Sequence, residues 1–218
     1  MAQTVMELSK DFHVLFVDDS SPDGTGAIIK ELMVTYPNRI YLEERKGKLG
    51  LGTAYIHGFK WALDREYNYI FEMDCDFSHD PNDLIRLYNA CAEDGFDFSI
   101  GSRYTKGGKV TNWPLKRLMM SYFASVYVRM ILWISIKDTT AGFKCYKKEV
   151  LRQIQLDNIS FKGYAFQICM KYAAIRNAFK AKEVPITFVD RLYGESKMSS
   201  SIFKEAFFGV WKMRRMKL

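Results

Sequence analysis

Short apolar runs alternate with amphipathic stretches in the first half of the chain. Four runs, each bounded by turn-forming residues, have the length and apolar character of buried strands. They span residues 13–17, 39–43, 69–73 and 97–101. Helical spacing of apolar residues marks the segments 26–36, 53–63 and 82–93, and residues 1–10 resemble part of an amphipathic helix. This alternation predicts an α/β fold with a mostly parallel sheet and helices on both faces.

Two later segments have a different pattern. Residues 118–136 are almost all apolar and approach the length of a membrane span, but Arg129 lies within them, where a charge in lipid is costly. We therefore expect buried or interfacial helices here. Residues 201–218 mix large apolar side chains with lysines and arginines. This mixture is typical of a helix on an anionic membrane, and equally of a docking helix with a solvated basic face.

Composition indicates a single globular domain over residues 1–218. Hydrophobic residues make up 48% of the chain and charged residues 26%, with no internal repeat or linker. The net charge of +7 suits nucleic acid, anionic lipid or a phosphorylated substrate. No zinc finger, helix-turn-helix or aromatic–basic RNA motif is present, so we expect no nucleic-acid partner. Scattered cysteines and the lack of a signal-peptide core favour reduced thiols and a cytoplasmic protein.

Two carboxylates follow the third predicted strand. Asp74 and Asp76 are two positions apart, so in extended backbone their side chains point to the same side. Such a pair repels itself unless a cation lies between, and carboxylate oxygens suit Mg²⁺ or Mn²⁺ bridged to substrate phosphates. Asp18 and Asp19 follow an earlier strand of the same presumed sheet. Their carboxylates are predicted to bind a nucleoside's base or ribose, or to cap the next turn.

Three arginines have settings that suit anion binding. Arg103 follows the fourth predicted strand, Arg117 precedes the apolar segment, and Arg191 lies near the sequence GESK at 194–197. Arginine binds phosphate bidentately and stays charged, although any one of these is also explained by a surface position or an ion pair. The three histidines have no nucleophile partner at a recognisable spacing. We expect His79 beside the carboxylate pair.

Several ordered motifs resemble those of one enzyme family. They are VDDSSPDGT at 17–25, GKLGLG at 47–52, MDCD at 73–76 with Ser78, His79 and Pro81, GSRY at 101–104, DTTAGF at 138–143, GYAFQ at 163–167, EVPITF at 183–188 and GESK at 194–197. In their order and spacing the chain resembles the polyprenol-phosphate (dolichol-phosphate) mannosyltransferases, which are inverting glycosyltransferases of the GT-A fold. The resemblance covers nearly the whole chain.

The resemblance implies roles for individual residues. The implied metal ligands for Mg²⁺ or Mn²⁺ are Asp74, Asp76 and Ser78. The implied nucleotide-sugar-binding residues are Asp18, Asp19, Lys48 and Asp74. The implied catalytic residues are Asp76, Arg103, Arg117 and Arg191, and Gln167 and Lys197 are implied on the acceptor side.

The reaction that the resemblance implies is transfer of a hexose, typically mannose from GDP-mannose, to a polyprenyl (dolichyl) phosphate with inversion. The acceptor oxygen is already anionic, so no general base is needed. Membrane-interface helices are then expected at 112–136 and 199–218, with the protein peripheral on the cytoplasmic face of a membrane.

The chain also departs from the family pattern. The family begins with a strand ending in Pro-x-Tyr-Asn-Glu, whereas this sequence begins within the following helix, so the sheet is expected to lack an inner strand. Ala141 and Cys169 stand where serine and an acidic residue are commoner. Two alternatives follow: a transferase that uses UDP-glucose or another acceptor, and a catalytically impaired nucleotide-binding protein at a membrane.

Overall fold

The computed structural model describes residues 1–161, 163–190 and 200–216, without the side chains of 200–205. Its α-helices are α1 (Ala2–Leu8), α2 (Thr25–Thr35), α3 (Leu51–Asp64), α4 (Asp83–Ala92), α5 (Leu115–Leu132), α6 (Lys148–Gln153), α7 (Tyr164–Arg176) and α8 (Ser200–Arg215). Its strands are β1 (Val14–Asp18), β2 (Ile40–Glu44), β3 (Tyr69–Glu72), β4 (Phe98–Ser102), β5 (Lys109–Thr111), β6 (Lys144–Lys147), β7 (Ala181–Pro185) and β8 (Thr187–Val189). The seven strands and helices predicted between residues 13 and 101 are confirmed, with bounds shifted by two residues or fewer.

The strands form three sheets within the described residues. β1 and β2 pair in parallel, and β5 and β8 form a second parallel pair. The central sheet has the order β3-β6-β4-β7, in which β4 and β7 are parallel while β6 runs antiparallel to both of its neighbours. The α/β class is confirmed, and the sheet is mixed because β6 enters it. The sequence pattern conceals β6, since Lys144 and Lys147 at its two ends interrupt the apolar run.

Helix α3 packs against both β1 and β3 and so links the first sheet to the central one. A second helix, α7, is buried almost all round, between the main hydrophobic cluster and α8. Helix α4 packs against β4 and contributes Leu84, Leu87, Ala90 and Cys91 to a second hydrophobic cluster. These helices fix the loop after β3 on one side and the loop before β6 on the other.

Helices α5 and α8 pack together and leave large apolar side chains in solvent. We call this surface the α5–α8 face. Its exposed residues are Leu115, Met119, Met120, Tyr122, Phe123, Met130, Phe207, Phe208 and Trp211. The Tyr127 and Phe207 rings stack at 4.7 Å and hold the two helices in register. In the part of the chain that the structure describes, no helix has the length and apolar character needed to cross a membrane.

Candidate active site

The carboxylate pair lies in the loop that joins β3 to α4. Asp74 Oδ1 accepts a hydrogen bond of 3.2 Å from the Tyr55 hydroxyl, which α3 carries. Asp76 Oδ1 accepts one of 3.0 Å from the backbone N–H of Ser78. Burial, and then the Asp74 carboxylate, raise the pKa of Tyr55 well above its ordinary value, so the phenol stays a donor. The loop is therefore held at both carboxylates.

Room beside Asp74 is supplied by a glycine. A Cβ atom placed on Gly142 would lie 3.9 Å from Asp74 Oδ2 and 3.5 Å from Gln167 Nε2, so a larger residue would fill the space next to the carboxylate. The described residues contain no group of three or more His, Cys, Asp or Glu side chains that could hold a metal. Two carboxylates and a nearby hydroxyl are hard oxygen donors, which fit a Mg²⁺ or Mn²⁺ ion that takes its other ligands from water and substrate phosphates.

The predicted nucleotide-binding aspartates already have protein partners. Asp18 accepts hydrogen bonds from the Ser21 N–H (3.1 Å) and hydroxyl (2.5 Å), so its turn-capping role is confirmed. Asp19 Oδ1 pairs with Arg45, at 2.7 Å from Nε and 2.5 Å from Nη2. Lys48 lies exposed in the loop after β2. Nucleotide binding by these residues stays a prediction.

Arg103 is held by a buried aspartate. Its Nε and Nη2 lie 2.7 and 2.6 Å from the two Asp138 carboxylate oxygens, its backbone N–H donates to Asp138 at 2.9 Å, and Nη2 also donates to Thr140. Burial alone would raise the pKa of Asp138, but the Arg103 guanidinium outweighs it and lowers that pKa. Both groups therefore stay charged, with Nε and Nη2 fixed. No described residue accepts from Nη1.

A tryptophan lies between Arg103 and Arg117. The guanidinium carbons of the two arginines are 5.4 and 4.1 Å from the centre of the Trp113 ring. Arg117 also pairs with Asp190 at 2.8 Å. The Trp113 Nε1–H is buried and has no hydrogen-bond partner among the described residues. An unpaired buried donor costs about 1–3 kcal/mol, so this N–H is an exception that needs a reason.

His79 follows the carboxylate pair in the loop between β3 and α4. It is buried, with its ring 4.9 Å from Phe143 and 5.3 Å from Phe188. Burial lowers its pKa, an effect that Asp74 opposes and Arg103 reinforces, so the imidazole is neutral near pH 7. The charges of Asp74, Asp76 and Arg103 all act on this ring, in agreement with the predicted proximity of His79 to the carboxylate pair.

A groove of about 430 Å³ runs beside Arg103 along α5. We call it the α5 groove. It is lined by Arg103, Tyr104, Gly108, Lys109, Val110, Leu118, Met119, Tyr122 and Phe123. Cationic side chains therefore occur in a groove whose other walls are mainly apolar and aromatic, and its apolar walls merge with the α5–α8 face. Such a groove suits an amphiphile with an anionic head.

Gln167 belongs to a buried charged network that the sequence did not predict. Lys144 on β6 is fully buried and contacts both the Glu72 carboxylate and Gln167 Oε1, while Gln167 Nε2 lies 3.4 Å from Glu72. A sequence pattern assigns charged residues such as Lys144 to the surface. When such a residue is buried, the sequence shows only an interrupted apolar run. The network lies behind Asp74, because Gly142 separates the two.

Lys171 completes the support of the loop before β6. Its ammonium donates to the carbonyls of Thr139, Ala141 and Gln167 at 3.1, 2.6 and 3.2 Å. The same loop carries Asp138, so Lys171 supports the loop whose carboxylate holds Arg103. Burial lowers the pKa of Lys171 to about 7, although Asp138 opposes the shift.

Of the predicted site residues, Asp74, Asp76 and Ser78 lie in the loop between β3 and α4, Gln167 lies near Asp74 across Gly142, and Arg103 and Arg117 lie over the Trp113 ring. Asp18, Asp19 and Lys48 lie at the end of β1 and in the loop after β2. Arg191 and Lys197 fall outside the described residues, so their predicted roles stay predictions.

Comparison with known proteins gives consistent matches. A family model described as Glycosyl transferase family 2 matches residues 2–155. The chain is 49% identical over 204 residues to a polyprenol monophosphomannose synthase of Mycolicibacterium smegmatis, covering 93% of this chain and 77% of that protein. It is 46% identical over 197 residues to an undecaprenyl-phosphate mannosyltransferase of Micrococcus luteus, covering 90% and 80%.

Among solved structures, glucosyl-3-phosphoglycerate synthase from Mycobacterium tuberculosis, in complex with Mn²⁺, uridine diphosphate and phosphoglyceric acid, superposes with a TM-score of 0.69. The alignment covers 99% of this chain and 73% of that chain at 11% identity. At this identity the match shows a shared fold.

Proposed function

The chain belongs to glycosyltransferase family 2, and we propose that it transfers mannose from a sugar nucleotide, GDP-mannose, to the phosphate of a polyprenol with inversion at the sugar. The names of two relatives at 49% and 46% identity support the sugar and the acceptor. The single observation that carries the proposal is that Arg103, held in place by Asp138, lines a groove whose other walls are mainly apolar.

We propose that Asp74, Asp76 and Ser78 hold Mg²⁺ or Mn²⁺, which when bound supplies positive charge to stabilise a departing diphosphate. Asp18, Asp19 and Lys48 are proposed to bind the nucleoside and diphosphate of the donor. Arg45 pairs with Asp19 Oδ1, so the Asp19 carboxylate is oriented by the protein before a nucleotide binds. Preorganised polar groups of this kind lower the free energy lost on binding.

The acceptor phosphate is proposed to lie at Arg103 and Arg117, with Arg191 as a third cation. Asp138 engages Nε and Nη2 of Arg103, so Nη1 is the nitrogen that is proposed to meet a phosphate oxygen. An oxygen of the acceptor phosphate attacks the anomeric carbon, the bond to the donor diphosphate breaks, and the nucleoside diphosphate leaves with its electron pair. No proton has to be removed from the nucleophile, so the step needs no general base.

Gln167 and Lys197 are the proposed acceptor-side residues. The Gln167 amide is already engaged by Lys144 and Glu72, so we assign its influence to the packing of Gly142 against the site. This assignment makes Gln167 a positioning residue.

We further propose that the protein sits peripherally on the cytoplasmic face of a membrane through the α5–α8 face. Phe208 and Trp211 are 66% and 49% exposed on α8, whose last turn carries Lys212, Arg214 and Arg215. Apolar residues beside basic ones favour insertion into an anionic leaflet. All four cysteines are free, which agrees with a reducing compartment.

The test is an incubation of the purified protein with radiolabelled GDP-mannose, Mn²⁺ and polyprenyl phosphate, followed by extraction of the lipid. Label in the lipid is expected, and Asp76→Ala is expected to remove it while circular dichroism stays unchanged. Asp157→Ala, at an exposed aspartate that pairs with Lys60 on α3, is the matched control. Labelled lipid from UDP-glucose alone would correct the donor, and no labelled lipid from either donor would overturn the proposal.

A further inference from the structure

We propose that the indole N–H of Trp113 binds the acceptor phosphate, as a neutral third donor beside Arg103 and Arg117. The inference rests on the proposed transfer to a polyprenyl phosphate and names a residue of that site that the sequence motifs did not single out. It begins from the one indole nitrogen of the described residues that is both buried and unpaired.

The surroundings of this N–H select the chemistry of its partner. An indole nitrogen only donates, so its partner is an acceptor atom. Two guanidinium groups lie over the same ring, at 4.1 and 5.4 Å from its centre. They disfavour a cation here and favour an anion, and phosphate oxygens accept from arginine and from neutral N–H groups alike. The site therefore suits a phosphate better than a sugar hydroxyl.

The ring is held in place before any ligand binds. β5 ends at Thr111, which pairs with Val189 of β8, and Asn112 then takes a left-handed backbone conformation with φ of 64°. The Phe188 ring packs edge-on against Trp113 at 5.4 Å. A strand end, a tight turn and an aromatic contact thus hold the ring in place.

The position agrees with the α5 groove. Arg103 lines that groove and also lies over Trp113, so an anion bound at Arg103 is next to the indole. An isoprenoid chain leaving this anion would follow Leu118, Met119 and Tyr122 toward the α5–α8 face. Arg103 then marks the part of the groove where the phosphate head is held, with the Trp113 ring beside it.

The first measurement compares steady-state kinetics of Trp113→Phe with the wild type. Phenylalanine keeps an aromatic ring against the arginines but removes the N–H. We expect the KM for polyprenyl phosphate to rise about tenfold, with kcat and the KM for the sugar nucleotide unchanged, since a hydrogen bond to a charged group is lost. Trp61→Phe on α3, whose ring packs against Tyr41 and Tyr67, is the matched control and is expected to leave all three constants unchanged.

The second measurement observes the N–H itself in the wild-type protein, so it does not depend on the folding of a variant. The ¹⁵N–¹H indole signal of Trp113, identified by its loss in Trp113→Phe or by selective labelling, is followed during addition of dimethylallyl phosphate. A downfield proton shift that saturates is expected, and dimethylallyl alcohol is expected to leave the signal in place.

An indole signal that dimethylallyl phosphate does not move overturns the inference. So does an unchanged KM for the lipid in a folded Trp113→Phe. Failure of the proposed function looks different: the wild-type protein then labels no lipid at all, whereas a saturable phosphate-induced shift still identifies an anion site at Trp113.

Discussion

Lys171 gives the protein a stability that depends on pH in a calculable way. Its pKa is about 7 in the folded chain against 10.5 for an ordinary lysine, because burial disfavours the ammonium. Between these values the unfolded chain holds the proton and the folded chain does not. The unfolded state therefore binds more protons, and the free energy of unfolding rises with pH through this window.

The size of the effect follows from the shift. Each pH unit over which the two states differ by one proton changes stability by about 1.4 kcal/mol. From pH 7, where the folded lysine is half titrated, to pH 9, the contribution is about 2 kcal/mol. Burial is the largest cause of the lowered pKa of Lys171; Asp138, Glu183 and a hydrogen bond with Lys144 oppose it, and the charge of Arg103 adds to it.

Lys171→Met is the variant that isolates this contribution, because methionine keeps an unbranched apolar stem of similar length and cannot titrate. Urea unfolding followed by circular dichroism at pH 7 and pH 9 measures the free energy of unfolding. The gain in stability between the two pH values is expected to be about 2 kcal/mol smaller in the variant than in the wild type. Lys182→Met, at an exposed lysine on β7, is expected to retain the full gain.

The prediction compares the change in the free energy of unfolding between pH 7 and pH 9 in the two proteins. Lys171→Met also loses stability at both pH values because three carbonyls lose their donor, and this loss cancels in the comparison. If Lys171→Met gains as much stability between pH 7 and pH 9 as the wild type does, Lys171 is charged throughout, and the pKa of about 7 is wrong.

Two further predictions concern the acceptor side. Asp138→Asn removes the charge that holds Arg103, so the free energy of unfolding is expected to fall by about 3 kcal/mol and kcat/KM for polyprenyl phosphate by about tenfold or more. Chemical unfolding measures the first quantity and lipid-labelling kinetics the second. Equal values for Asp138→Asn and Asp157→Asn would contradict the role of the Arg103–Asp138 pair. Phe123→Glu places a charge on the α5–α8 face, so the fraction of protein that floats with vesicles rich in anionic lipid is expected to drop severalfold. Val34→Glu, at an exposed apolar site on α2, is the control for that flotation assay, and equal losses in the two variants would refute the assignment of the face.

The first half of the fold could be predicted because its elements have clear periods. The strand before Asp74 and the helix after Pro81 can be predicted from local apolar spacing alone, and the predicted bounds of both lie within two residues of the observed ones. The pairing of carboxylates at 74 and 76 follows from the same local geometry.

The support of Arg103 could not be predicted, because Asp138 lies 35 positions away and reaches it only through the arrangement of β4, β6 and β7. Lys144 and Lys171 escape prediction for another reason. Each lies on a β-strand or helix that is buried on all sides, and a pattern that assigns charge to solvent places them outside. The cost of burying them is offset by partners that are distant in sequence.

The ion pairs at the acceptor site have a consequence for the end of the reaction. Arg103 and Asp138 together carry no net charge, and neither do Arg117 and Asp190. Under the proposed function, the acceptor is a phosphate monoester with up to two negative charges, and the product is a diester with one. A cluster of bare cations would retain both strongly. Neutral pairs attract through oriented N–H groups instead, so at Arg103 and Arg117 the singly charged glycolipid is held less tightly than it would be by unpaired cations, which favours its departure.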